Sequence, residues 1–142
     1  MGVFFMVKRI SVILMSLILV LGLFFFNRVP AFSLSSSYEV YLESYSSSKS
    51  ILKVDSESYK FIIGVKGESA CLESEGFNLA EFLDMVGARL VFSEQLSGVT
   101  CYYAYSPKIK YLESVNGNLI NVHIAVTKSY VKVGAPIIYG SF

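Results

Sequence analysis

The chain has 142 residues, a formal net charge of +1 and 54% hydrophobic residues. Three of its twelve Lys and Arg residues lie before Ala31 and all eleven acidic residues lie after it, so the remainder is slightly acidic. That balance excludes the basic face that nucleic acid requires and the polybasic patch of a lipid-binding surface, and the length allows one folded domain beside an N-terminal segment.

The N-terminal segment is organised around the stretch 10–26, ISVILMSLILVLGLFFF, which runs from Ile10 to Phe26 without a charge. Lys8 and Arg9 precede it and Arg28 follows. Seventeen helical residues rise about 25 Å. That is short of a hydrocarbon core of about 30 Å and longer than the usual apolar region of about 7–15 residues in a secretory signal. The segment 1–31 is therefore expected to be a signal peptide or an N-terminal transmembrane anchor. Val29-Pro30-Ala31 places Val and Ala at the −3 and −1 positions of a cleavage site after Ala31. The basic residues before the run place the N-terminus in the cytoplasm and the bulk of the chain outside it. Two localisations follow: a single-pass cell-membrane protein with its C-terminal domain outside the cytoplasm, or a protein secreted after cleavage near Ala31. Met6 breaks the myristoylation pattern, which needs Ser or Thr there.

Serine-rich residues 32–37 read as a tether, and residues 38–142 as an extracytoplasmic domain. Tyr38, Val40 and Leu42 alternate with Glu39, Tyr41 and Glu43, the period of a half-buried strand that continues to Tyr45. Ser46-Ser47-Ser48 makes a turn into a second strand over 51–54, so the two form a hairpin. A strand is expected over 59–66, with Phe61, Ile63 and Val65 on one face, then a turn at Lys66-Gly67 and a strand over 69–73.

Asn78 begins the one clear helix of the domain. Glu81 completes a capping box, and Phe77 with Phe82 forms a hydrophobic staple. Leu79, Phe82, Leu83 and Val86 make one apolar stripe, and Gly87 supplies a left-handed stop. Strands follow over 89–93 and 99–105, with a loop over 94–98 between them. Asn116-Gly117 predicts a type I′ hairpin within 108–126, pairing Val115 with Asn118, Tyr111 with Val122 and Ile109 with Ile124. Ile120, Val122, Ile124 and Val126 form its buried face, leaving Leu119, Asn121, His123 and Ala125 on the other. A last strand is expected over 130–133. Ile137, Ile138, Tyr139 and Phe142 carry enough apolar surface to dock the C-terminus. The fold class is α+β: a mostly antiparallel sheet of five to eight strands packed against one short helix near 78–86, preceded by the N-terminal hydrophobic helix.

Few residues carry candidate chemistry. No nucleophile elbow, phosphate loop, HExxH or EF-hand sequence occurs. A lone histidine makes a zinc site unsupported, so no metal and no cofactor is expected. Cys71 and Cys101, the two cysteines, suit either a disulfide in an oxidising compartment or two separate buried thiols. Tyr102, Tyr103, Tyr105 and Tyr111, with His123, form a candidate binding surface, because tyrosine offers rigid amphipathic area. The expected function is a non-enzymatic binding or interaction module of the cell envelope, membrane-tethered or secreted, whose partners are the membrane through 10–26 and an envelope component or protein. Two alternatives stand beside it. One is a small envelope hydrolase using Cys101 or a serine with His123; the other is a structural protein that assembles through its sheet edges.

Overall fold

The computed structural model describes residues 2–26, 29–42 and 51–140, with side chains of the first helix described from 7 to 23. Helix α1 covers Gly2–Phe26. Strands β1 (Ser37–Tyr41), β2 (Ile51–Asp55) and β3 (Gly67–Glu73) precede helix α2 (Leu79–Val86). Six strands follow: β4 (Arg89–Leu96), β5 (Val99–Tyr105), β6 (Glu113–Val115), β7 (Asn118–Ile120), β8 (Val122–Val126) and β9 (Tyr130–Ala135). Seven of the strands form one antiparallel sheet in the order β2-β1-β3-β9-β8-β5-β4, and β6 with β7 makes a separate hairpin. The α+β class expected from the sequence is therefore the observed one.

No helix among the described residues is long and apolar enough to cross a membrane. The side chains of Val7, Ile10, Leu14, Leu17 and Leu23 are all exposed.

Alternation along the strands builds two buried faces. One carries Tyr38 and Val40 from β1, Ala70 from β3, Ala104 from β5, Val122 and Ile124 from β8, and Val131, Val133 and Ala135 from β9. Phe82 and Val86 of α2 pack on this face together with Phe32. The helix forms where its caps direct it. The Asn78 side chain accepts from the N–H groups of Ala80 (3.0 Å) and Glu81 (3.4 Å). Phe77 and Phe82 lie 5.8 Å apart as the staple pair, and Gly87 ends the helix at φ 63°. Phe32, first residue of the serine-rich stretch, is buried and its ring lies 5.9 Å from that of Phe82.

The opposite face is covered by the end of the chain. Ile138 packs on Cys101, Tyr103, Ile120 and Ala125, and its N–H donates to His123 Nδ1 at 3.2 Å. Tyr139 stands edge-on to Tyr41, ring centres 4.9 Å apart. The expectation of a docked C-terminus holds for these residues; Phe142 lies outside the described residues. Gly134 makes the docking possible, because a Cβ there would stand 2.7 Å from Ile138 Cγ1 and 2.9 Å from its backbone nitrogen.

Three local expectations are corrected. Residues 59–66 do not form a strand: Tyr59–Phe61 is a 3-10 turn, and Gly64 at φ 82° turns the chain toward β3. The expected loop over 94–98 shrinks to Ser97 and Gly98, both left-handed (φ 46° and 89°), so β4 runs on to Leu96. The Asn116-Gly117 hairpin forms with Val115 opposite Asn118, but it closes at Glu113 and Ile120. Beyond it, β8 pairs with β5 and β9 and not with residues 109–111. Asn121 makes the break. Its buried side chain donates to the carbonyls of Ser106 (2.7 Å) and Ile109 (2.9 Å) and accepts from Ser106 N–H (2.7 Å). The β1–β2 pairing occurs as expected, with Tyr38 opposite Val54. Tyr45 and the turn at 46–48 lie outside the described residues.

Candidate functional site

The singled-out residues fall on one sheet and separate by face and row. The register aligns Glu94, Cys101, Ala125, Lys132 and Cys71 in a single row across β4, β5, β8, β9 and β3. Strands β8 and β9 thus stand between the two cysteines. Three strand spacings amount to roughly 14 Å, twice the Cα separation of about 7 Å that a disulfide tolerates. Both cysteines are free, Cys71 exposed and Cys101 buried. The disulfide reading is corrected, and of its alternative only Cys101 is a buried thiol.

The next row holds the aromatic residues. Phe92, Tyr103 and His123 stack in parallel, with ring centres 4.4 Å and 4.5 Å apart. Tyr103 donates its hydroxyl hydrogen to the Glu94 carboxylate at 2.5 Å. His123 accepts the Ile138 N–H at Nδ1, which places the ring proton of the neutral imidazole on Nε2. Burial pushes the His123 pKa down to about 4, against a weaker upward pull from Glu94. Burial also raises the Cys101 thiol, and the Glu94 charge raises it further. A thiolate nucleophile needs the reverse environment: an electropositive neighbour and solvent access. The arrangement is one of packing and mutual orientation.

The other tyrosines point elsewhere. Tyr102 lies on the α2 side of the sheet and packs against that core. Tyr105 is half-buried at the end of β5, with the Arg89 guanidinium 5.8 Å from its ring centre. Tyr111 packs beside the α2-side core and lines an open cleft of about 1180 Å³ with Leu23, Pro30, Met85 and Lys108. Tyr102, Tyr103, Tyr105, Tyr111 and His123 therefore do not form one exposed surface. The tyrosine-rich strand sends its side chains to both faces, and both faces are covered.

A second cluster was not singled out in the sequence. Glu68 is fully buried on the α2 side of β3. Its Oε1 accepts the N–H of Ala31 at 2.6 Å and of Phe32 at 3.4 Å, and its Oε2 accepts the Tyr59 hydroxyl. Burial raises the Glu68 pKa, and these three donors pull it back only in part. Burial and the adjacent carboxylate hold the Tyr59 phenol far above its usual range. Glu39 pairs with Lys132 (2.8 Å) and Lys53 (3.8 Å) on the other face of the sheet. A signal for Glu68 was present in the sequence. In Gly67–Glu73 it shares alternation with Ala70 and Leu72, and a carboxylate in an apolar register has to be answered by something.

Among the described residues no group of three or more His, Cys, Asp or Glu side chains is arranged to hold a metal ion. Compared with known proteins, the chain matches no family, no curated protein and no solved structure.

Proposed function

We propose that the chain is an exported, non-enzymatic binding module of the cell envelope: the N-terminal helix directs it across the membrane, and the domain that follows Ala31 works on the far side. One observation carries this reading. The described side chains of α1 stay largely exposed, while the domain closes a core on each face of its sheet without them. An apolar helix left out of the core has its use outside the fold, and a basic flank with a small-residue site points to export. Cys101 and His123 are buried with an inactivated thiol and a neutral ring, which favours the binding reading over the hydrolase.

The docking element in this reading is β4. It is the terminal strand of the sheet, it is eight residues long, and Leu90, Val91 and Leu96 are exposed along it. An edge of this kind takes an extended segment of a protein partner by backbone hydrogen bonding.

Cys71 gives the test of export. It is exposed whereas Cys101 is buried, so a membrane-impermeant maleimide applied to intact cells should label the chain once, at Cys71. Labelling that occurs only after lysis would place the domain inside the cell and overturn the reading.

A further inference from the structure

We propose that Glu68 is the receptor for a new amino terminus: once the Ala31–Phe32 bond is hydrolysed during export, the Phe32 α-ammonium pairs with the Glu68 carboxylate inside the folded domain. The inference rests on the export reading and goes beyond it by assigning the fate of the cut end.

Phe32 is positioned by contacts that do not need residues 1–31. Its side chain is 1% exposed. Its ring packs on Phe82, and its carbonyl accepts the Tyr38 hydroxyl at 2.7 Å. Its nitrogen is already 3.4 Å from Glu68 Oε1, within the distance of an ion pair. Cleavage after Ala31 is the position that Val29 and Ala31 specify. A cut further along would remove a core aromatic ring and leave Glu68 only the Tyr59 hydroxyl.

The carboxylate itself asks for the charge. A buried carboxylate met only by neutral donors is poorly compensated, whereas an opposite charge in contact answers its desolvation. In the hydrolysis, water gives its hydroxyl to the Ala31 carbonyl carbon and its hydrogen to the Phe32 nitrogen. The products at neutral pH are the Ala31 carboxylate and the Phe32 ammonium. The catalyst is an endopeptidase that processes exported chains. Loss of Ala31 removes the 2.6 Å amide donor, and the ammonium supplies three hydrogens in its place. The cut precedes folding, since in the folded chain both nitrogens flanking Ala31 are held against Glu68. Processing then adds a cation at a buried carboxylate already in contact with the Phe32 nitrogen.

The test uses the full chain produced in a cell that exports it. The form outside the cytoplasm is recovered, its first residue is sequenced, and its amines are acetylated in trace amounts before and after denaturation. The expected first residue is Phe32. An opposite charge in contact raises the amine pKa by about 1 unit or more, so its α-amine should react at least about tenfold more slowly in the folded protein than in the unfolded one. Exposed Lys53 serves as the internal standard. Glu68→Gln, if it accumulates folded, should abolish that protection; if it does not, protection in the unaltered chain decides alone. An exported chain that starts at another residue, or a Phe32 amine equally reactive in both states, overturns the inference and leaves export standing. An intact chain inside the cell overturns both.

Discussion

His123 is buried between Tyr103 and the Ile138 backbone, and its depressed pKa ties stability to pH. The folded ring binds a proton only near pH 4, whereas an unfolded one does so near 6.5. The folded state therefore holds fewer protons between these values. The contribution is complete above about 6.5 and is lost as pH falls toward 4, by about 3 kcal/mol over the window. Glu68, with its raised pKa, contributes in the opposite sense, losing stability as pH rises above the ordinary carboxylate range. The His123 part is isolated by comparison with His123→Gln, which keeps an acceptor for the Ile138 N–H and does not titrate. Urea unfolding at several pH values should show the difference between the two proteins shrinking by about 3 kcal/mol from pH 7 to pH 4; a constant difference would mean that the folded ring titrates normally. At this scale the sequence was informative about residue type and poor about burial. The alternation placed His123 correctly on the face opposite Val122 and Ile124, but that face is buried too. What covers it is a segment fourteen to sixteen residues further along the chain, a contact that no local pattern contains.

Among the elements, α2 was legible because its signals lie within ten residues of one another. Asn78, the Phe77–Phe82 staple and Gly87 act where sequence analysis expected them. Asn78→Ala deletes the acceptor for two N–H groups and should cost about 1 kcal/mol in chemical denaturation. Residues 59–66 misled because Phe61, Ile63 and Val65 alternate like a strand. Phe61 and Ile63 are in fact exposed, and the left-handed Gly64 breaks the run. Cys71 and Cys101 misled for a topological reason: β9 and β8, the last strands of the sheet in sequence, insert between β3 and β5. Edge status is likewise settled only once the whole sheet is assembled, so β4 could not be recognised as a docking strand in advance. Replacing Leu90 and Leu96 together by Lys should leave stability within about 0.5 kcal/mol per site, as for exposed positions generally, and should remove any adduct formed from a photocrosslinker at Ser93. Adducts between two copies of the chain would favour assembly through sheet edges over capture of another protein. Adducts unchanged by the lysines would place the docking surface elsewhere.

For the molecule as a whole, the two faces of one sheet are closed by the two ends of the described domain. Phe32 closes the α2 side, and Ile138 closes the other. The second closure depends on Gly134, where backbone meets backbone: an added Cβ would lie 2.9 Å from the Ile138 nitrogen and 3.0 Å from the Ile137 carbonyl carbon. Gly134→Ala removes no atom and alters no charge, yet the strap over 136–140 has to shift away to admit it. Overpacking of this kind costs about 1–3 kcal/mol. The consequence reaches Cys101, which shares the buried cluster with Ile138. In the unaltered protein a maleimide should modify Cys71 rapidly and Cys101 only at the rate of unfolding. In Gly134→Ala under native conditions, Cys101 should become reactive well before Tm, while Cys71, on the exposed stretch of β3, keeps its rate. A Cys101 rate that rises only in proportion to lost global stability would mean that the β-sheet alone shields the thiol and that the strap is a passive cover. A rise beyond that proportion would show local opening of the C-terminal segment, and would make 136–140 the least stable part of the closure around His123 and Tyr103.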